Sequence, residues 1–130
     1  MTDTLNPGKI FIIDDDRLTI LVSERILLNY DASLNISSFL SGREALDYFT
    51  KNILPENSII LLDINMPDYS GWDFLDDYSL LPFTTKIFMF TSSIDIKDLE
   101  KSKTYAKVKG FISKPLTDEK IRQLIEAANP

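Results

Sequence analysis

The sequence predicts an α/β fold, a doubly wound parallel sheet with helices on both faces, and three features of its 130 residues carry that expectation. Short apolar runs rich in β-branched side chains alternate with longer segments of helical spacing, which implies βαβ crossovers and a mainly parallel sheet. The runs Ile10-Phe11-Ile12-Ile13 and Ile59-Ile60-Leu61-Leu62 are continuous, as strands buried on both faces require. The length suits one domain around a single core.

Residues 1–8, ending Asn6-Pro7-Gly8, read as a flexible polar leader, and residues 9–130 as the domain. Ile10 to Ile13 is too short for a helix and forms the first strand. Asp16 is placed to cap a helix from Arg17 to about Tyr30, with Leu18, Leu21, Val22 and Leu28 as its apolar face. Residues 33–39 alternate, with Leu34, Ile36 and Phe39 apolar, as in a half-covered edge strand. Ser41-Gly42-Arg43-Glu44 has the form of a capping box, followed by a stripe of Ala45, Leu46, Phe49 and Ile53 stopped near Pro55. Residues 58–62 form the third strand, and residues 63–71, with Pro67 and Gly71, a loop. A short helix over 72–80, a buried strand over 86–90, a polar helix over 95–105, a brief strand over 110–112 and a helix over 117–128 complete five strands and five helices. Right-handed crossovers then favour the flavodoxin-like strand order 2-1-3-4-5.

Composition narrows the chemistry. Fourteen Lys and Arg against 20 Asp and Glu leave a net charge of −6, which disfavours direct nucleic-acid binding. With neither Cys nor His, the chain holds no disulfide, thiolate nucleophile, Ser–His–Asp triad or histidine-bound zinc. No apolar run is long enough to span a membrane, and residues 1–9 do not resemble a signal peptide. The expected location is the cytoplasm.

The functional signal lies at the carboxyl ends of the apolar strands. The first ends in Asp14-Asp15-Asp16, the third in Asp63, the fourth in Thr91-Ser92-Ser93 and the last in Lys114-Pro115. In a parallel sheet these ends share one edge, where open α/β sheets bind ligands. Asp14, Asp15 and Asp63 are hard oxygen donors whose mutual repulsion a cation would relieve, and Mg²⁺ suits such a set. Lys114 and Thr91 supply a positive charge and a hydroxyl for phosphoryl oxygens, and Asp63 is the candidate nucleophile of phosphoryl transfer onto a carboxylate. Taken singly, each piece has a plainer role: solvated acidic loop, helix cap, turn residue, or core aromatic for Phe111 and Trp72. Their conjunction at four strand ends is what singles them out.

These residues give the chain, from Lys9 to about Ala128, a resemblance to the receiver domains of two-component response regulators. It rests on Ile13-Asp14-Asp15-Asp16, Leu62-Asp63-Ile64-Asn65-Met66-Pro67, Gly71, Thr91-Ser92 and Lys114-Pro115. The resemblance implies that Asp63 takes a phosphoryl group from a phosphohistidine on a histidine kinase or histidine phosphotransfer protein. It implies Mg²⁺ held by Asp15, Asp63 and the Asn65 carbonyl, with Asp14 acting through water. It implies Lys114 on a phosphoryl oxygen, Thr91 and Phe111 as moving switch residues, a cis peptide at Lys114–Pro115, and tuning of the phosphorylated lifetime by Asn65 and Ser93. Residues 95–129 would report the change to an unknown downstream protein. Two positions depart from the commonest pattern: Ser92 stands where Ala is usual, and residues 105–110 lack a Gly-Ala turn. No sequence follows the last helix, so the expected protein is a stand-alone receiver. Two alternatives stay open. One is a haloacid-dehalogenase-type, Mg²⁺-dependent phosphatase using Asp14-x-Asp16; the other is a receiver-like binding module that is not phosphorylated.

Overall fold

The computed structural model describes residues 8–83 and 85–128, in which strands and helices alternate. In chain order they are β1 (Ile10–Ile13), α1 (Arg17–Tyr30), β2 (Ile36–Phe39), α2 (Gly42–Lys51), β3 (Ile59–Leu62), α3 (Gly71–Tyr78), β4 (Lys86–Thr91), α4 (Ile96–Ser102), β5 (Val108–Ser113) and α5 (Asp118–Ala128). All strand pairs are parallel, and the sheet order is β2-β1-β3-β4-β5. The expected leader, residues 1–8, lies outside the described residues except for Gly8. No described helix is long and apolar enough to cross a membrane.

Alternation along each strand divides the core into two layers. Ile10, Ile12, Ile59, Leu61, Phe88 and Phe90 face one side, where Ile20 and Leu27 of α1 and Ile121, Leu124 and Ile125 of α5 cover them. Phe11, Ile13, Ile60, Leu62, Ile87 and Met89 face the other, beneath Ala45 and Phe49 of α2 and Phe74, Leu75 and Tyr78 of α3. Phe49 is the hub of this second layer. Its ring lies within 6.1 Å, centroid to centroid, of Phe11, Phe39, Tyr48, Phe74 and Tyr78, in edge-to-face contacts. Every residue of β1 and β3 is buried, whereas β2 is half-buried throughout, as an edge strand should be.

Several local expectations are corrected. The face of α1 that the spacing selects is the solvent face: Leu18, Leu21, Val22 and Leu28 are all exposed, while Ile20, Ser23 and Leu27 are buried. Apolar residues surround this helix, so two faces satisfy the same periodicity and the sequence cannot choose between them. Ile53 does not continue the stripe of α2. The helix ends at Lys51, Asn52 turns extended while its side-chain amide donates to the Tyr48 carbonyl, and Leu54 enters the core in place of Ile53. At the start of α2 only half of the expected capping box forms: Ser41 Oγ accepts from the Glu44 amide, and Glu44 points to solvent. A complete, reciprocal box stands instead at α3, between Ser70 and Asp73.

The last strand is longer than its apolar stretch. A register shift places Ile87 beside Val108 but Phe88 beside Gly110, so Lys109 is the extra residue of a β-bulge. That insertion resets the alternation and lets both Val108 and Phe111 pack on the second layer. It occupies the segment where the sequence departs from a Gly-Ala turn.

Candidate functional site

Register explains why the polar strand ends meet. Ile13 of β1 pairs with Leu62 of β3, so the next residues, Asp14 and Asp63, emerge side by side. Thr91 pairs with Ser113 across β4 and β5, and the Lys114 amide donates to the Thr91 carbonyl at 2.8 Å. Lys114 therefore enters the same rim from its far side.

The charged groups converge. Carboxylate oxygens of Asp14, Asp15 and Asp63 all lie within 4.8 Å of one another. Asp14 and Asp63 are buried, and Asp15 is exposed. Lys114 Nζ sits 2.7 Å from Asp14 Oδ2 and 3.5 Å from Asp63 Oδ1, and 5.3 Å from the centre of the Phe90 ring. The other oxygen of Asp14 accepts the Asp16 amide at 2.9 Å. Both oxygens of Asp14 are thus engaged by the protein. Burial, then the neighbouring Asp14 charge, push the Asp63 carboxyl up to about 6, against the partial relief that Lys114 provides. One ammonium does not balance three carboxylates, and that imbalance is what a divalent cation with hard oxygen preference relieves.

The loop after β3 depends on one glycine. A Cβ on Gly71 would lie 2.5 Å from the Asp63 carbonyl oxygen and 3.0 Å from Ile64 Cα, both immovable backbone. Gly71 also donates its amide to the Ile64 carbonyl at 2.9 Å, which draws the start of α3 against the Asp63 backbone. Asp68, inside the same loop, adopts a left-handed conformation with φ of 67°.

The remaining sequence-selected residues surround this centre. Asn65 is exposed on the β3–α3 loop, and its backbone N–H, near the Asp63 carboxylate, slightly offsets the upward push on that group. Thr91 is buried, and its hydroxyl donates to the Ser93 carbonyl of its own loop at 2.9 Å. Ser93 is exposed beside it. Phe111 pairs with Met89 one strand away and is half-buried against the second layer. Lys114–Pro115 is a cis peptide. Asp16, by contrast, is not part of the cluster: its carboxylate is spent on the Leu18 amide and the Thr19 hydroxyl, capping α1.

One feature of the site has no counterpart among the sequence-based expectations. A groove of about 350 Å³ runs beside Lys114 and Pro115 and is lined by Leu18, Thr19, Val22, Ser23, Phe90 and Ser92. Its outer wall is the apolar solvent face of α1. The signal available was the surplus of apolar residues in α1 beyond the stripe that a two-layer core can bury.

Comparison with known proteins agrees with this geometry. Residues 10–126 match the family model described as response regulator receiver domain. Among solved structures, a response regulator receiver protein from Dyadobacter fermentans is 26% identical with a TM-score of 0.84, covering 94% of this chain and 98% of that one. A two component response regulator from Cytophaga hutchinsonii is 26% identical with a TM-score of 0.85, over 95% of this chain and 97% of that one. The chemotaxis protein CheY4 of Vibrio cholerae is 25% identical with a TM-score of 0.73, over 94% and 98%. A curated relative, hybrid signal transduction histidine kinase L of Dictyostelium discoideum, is 24% identical over 123 residues, which are 92% of this chain but only 7% of that protein's length. The strand order, the clustered strand-end residues and the match over nearly the whole length agree: the chain belongs to the response regulator receiver domain family.

Proposed function

We propose that this domain accepts a phosphoryl group on Asp63 from a phosphohistidine and passes the change to a partner protein. The observation that carries the reading is the buried Asp63 carboxylate held among Asp14, Asp15 and the Lys114 ammonium at the carboxyl edge of the sheet. In the transfer, an Asp63 oxygen attacks phosphorus, a P–O bond forms, and the P–N bond breaks with its electron pair returning to the imidazole nitrogen. Lys114 stands close enough to neutralise charge on a phosphoryl oxygen. The chain contains no His, so the donor lies outside these 130 residues, in a histidine kinase or a histidine phosphotransfer protein.

Mg²⁺ fits the donor set. As the family resemblance implies, Asp15, Asp63 and the Asn65 carbonyl would hold the ion directly, and Asp14, which already engages Lys114 and the Asp16 amide, would act through water. The ion, when bound, supplies charge neutralisation at the reacting oxygens. Thr91 would exchange its bond to Ser93 for one to the phosphoryl group, and Phe111 would turn further into the second layer. Ser93 and Asn65, exposed on the two loops that flank Asp63, would tune how readily water attacks the acyl phosphate. The groove beside α1 fits the phosphodonor. A protein donor docked beside Lys114 would cover Leu18 and Val22, and an apolar helical surface would bury them.

The test uses phosphoramidate, whose P–N bond mimics the phosphohistidine, with Mg²⁺ and intact-mass detection. The wild type gains one phosphoryl group and Asp63→Asn gains none. An equal gain in both proteins would move the acceptor elsewhere. The phosphatase alternative has no support in the geometry, since Asp16 serves as a helix cap rather than facing the cluster.

A further inference from the structure

The α4 helix is weakly rooted. Ser102 is its one buried residue, Asp98 and Leu99 are half-buried, and Ile96 is 75% exposed. Little apolar burial therefore fixes its position, and what holds it must come from its ends. At its start, the short loop from Thr91 runs directly into the Asp95 cap, where the Asp95 carboxylate accepts the Lys97 amide at 2.8 Å. At its far end, Tyr105 is set by backbone bonds to Ser102 and Val108 in the turn between α4 and β5.

That far end is fastened to α3. The Tyr105 ring stacks on Trp72 with centroids 6.0 Å apart, and its hydroxyl donates to Asp76 Oδ1 at 2.6 Å. Lys101, in the last turn of α4, places Nζ 4.8 Å from the centre of the Trp72 ring. Lys107, two residues beyond Tyr105, donates to the carbonyl of Tyr78, the last residue of α3, and to that of Leu81 in the turn beyond it. Bonding to Asp76 pushes the Tyr105 phenol up to about 12, so it remains a donor throughout the neutral range.

We propose that Tyr105, Trp72, Asp76 and Lys101 form a clasp between α3 and the α4–β5 turn that acts as a brake on the switching movement of the Thr91 loop. The inference rests on the phosphoacceptor reading and adds a regulatory device to it. For Thr91 to reach a phosphoryl group on Asp63 it must release Ser93, and the loop that follows must shift with it. That loop ends in α4. With the clasp closed, α4 is held at both ends and the shift is resisted; with it open, α4 follows at little cost because it buries so little. Small phosphodonors react with whatever fraction of the protein already has the switched arrangement, so a weaker brake raises the labelling rate.

The experiment pairs hydrogen exchange with phosphoramidate labelling in Mg²⁺, on the wild type, Tyr105→Phe, Tyr105→Leu and Lys101→Ala. Tyr105→Phe keeps the ring and loses only the bond to Asp76, and Lys101 is exposed, so these two variants keep the fold if the larger change does not. Expected is α4 amide exchange about tenfold faster in Tyr105→Leu and a few-fold faster in the other two, with the amides of β1 and β3 unchanged. Labelling accelerates in the same order. Labelling at the wild-type rate, with or without faster α4 exchange, overturns the brake while leaving the phosphoacceptor reading intact. Failure of the wild type to take any label overturns the phosphoacceptor reading, and the brake with it.

Discussion

Replacing Asp63 by Asn should stabilise the metal-free protein at neutral pH, and the size of the gain can be worked from the site. Burial and the Asp14 charge push the Asp63 carboxyl from an ordinary 3.8 up to about 6. The folded state therefore binds this proton more tightly than the unfolded chain does. Below about pH 4 both states are protonated and the site carries no penalty. As pH rises toward 6, the unfolded chain releases the proton first and stability falls; above 6 the loss is complete. A pKa difference of about two, at about 1.4 kcal/mol each, makes that loss about 3 kcal/mol. The asparagine side chain has no charge to bury, so in chelator at pH 8 the variant should exceed the wild type by about 2–3 kcal/mol, or on the order of 10 °C in melting temperature. At pH 4 the two should coincide. The assay is urea unfolding in chelator from pH 4 to pH 8, where taking the difference between the proteins cancels the titrating groups remote from the site. A difference that is constant with pH, or that grows toward acid, would refute the reasoning.

Mg²⁺ should raise the melting temperature of the wild type through ligand linkage, and Asp15→Ala should remove most of that rise; a full rise in the variant would place the ion elsewhere. Phe49→Ala removes the hub of the second layer and should cost about 3–5 kcal/mol in urea unfolding, whereas Ile53→Ala, at a residue 93% exposed, should cost almost nothing. Gly71→Ala drives a methyl into the Asp63 and Ile64 backbone and should destabilise by about 1–3 kcal/mol while slowing phosphoryl labelling; normal stability would mean that the α3 entrance is more yielding than its geometry shows.

How much of the fold and the site is legible in the sequence depends on the kind of signal each element carries. β1 and β3 announce themselves because four consecutive apolar, largely β-branched residues fit a doubly covered strand and little else. Once those strands are parallel and in register, Asp14 and Asp63 must be neighbours, so the centre of the site is readable as an inference from topology. The cap at Asp16 likewise follows from the preference of its side chain. The face of α1 is not legible, because a helix apolar on two sides gives a period without a direction; tertiary packing chooses Ile20 and Leu27 and leaves Leu18 and Val22 outside. The length of β5 is hidden by its bulge, since the extra Lys109 breaks the alternation that would have marked the strand. The contact of Tyr105 with Trp72 and Asp76 has no local signature at all: it joins α3 to a turn residue roughly thirty positions later.

Asp63 is the residue expected to carry the phosphoryl group. Peptide mapping after incubation with acetyl phosphate, with and without Mg²⁺, is the most direct measurement. The prediction is a single acyl phosphate on Asp63 that forms in Mg²⁺ and is strongly reduced in chelator. A phosphoryl group found on any other residue, or labelling of Asp63 indifferent to the metal, would contradict it.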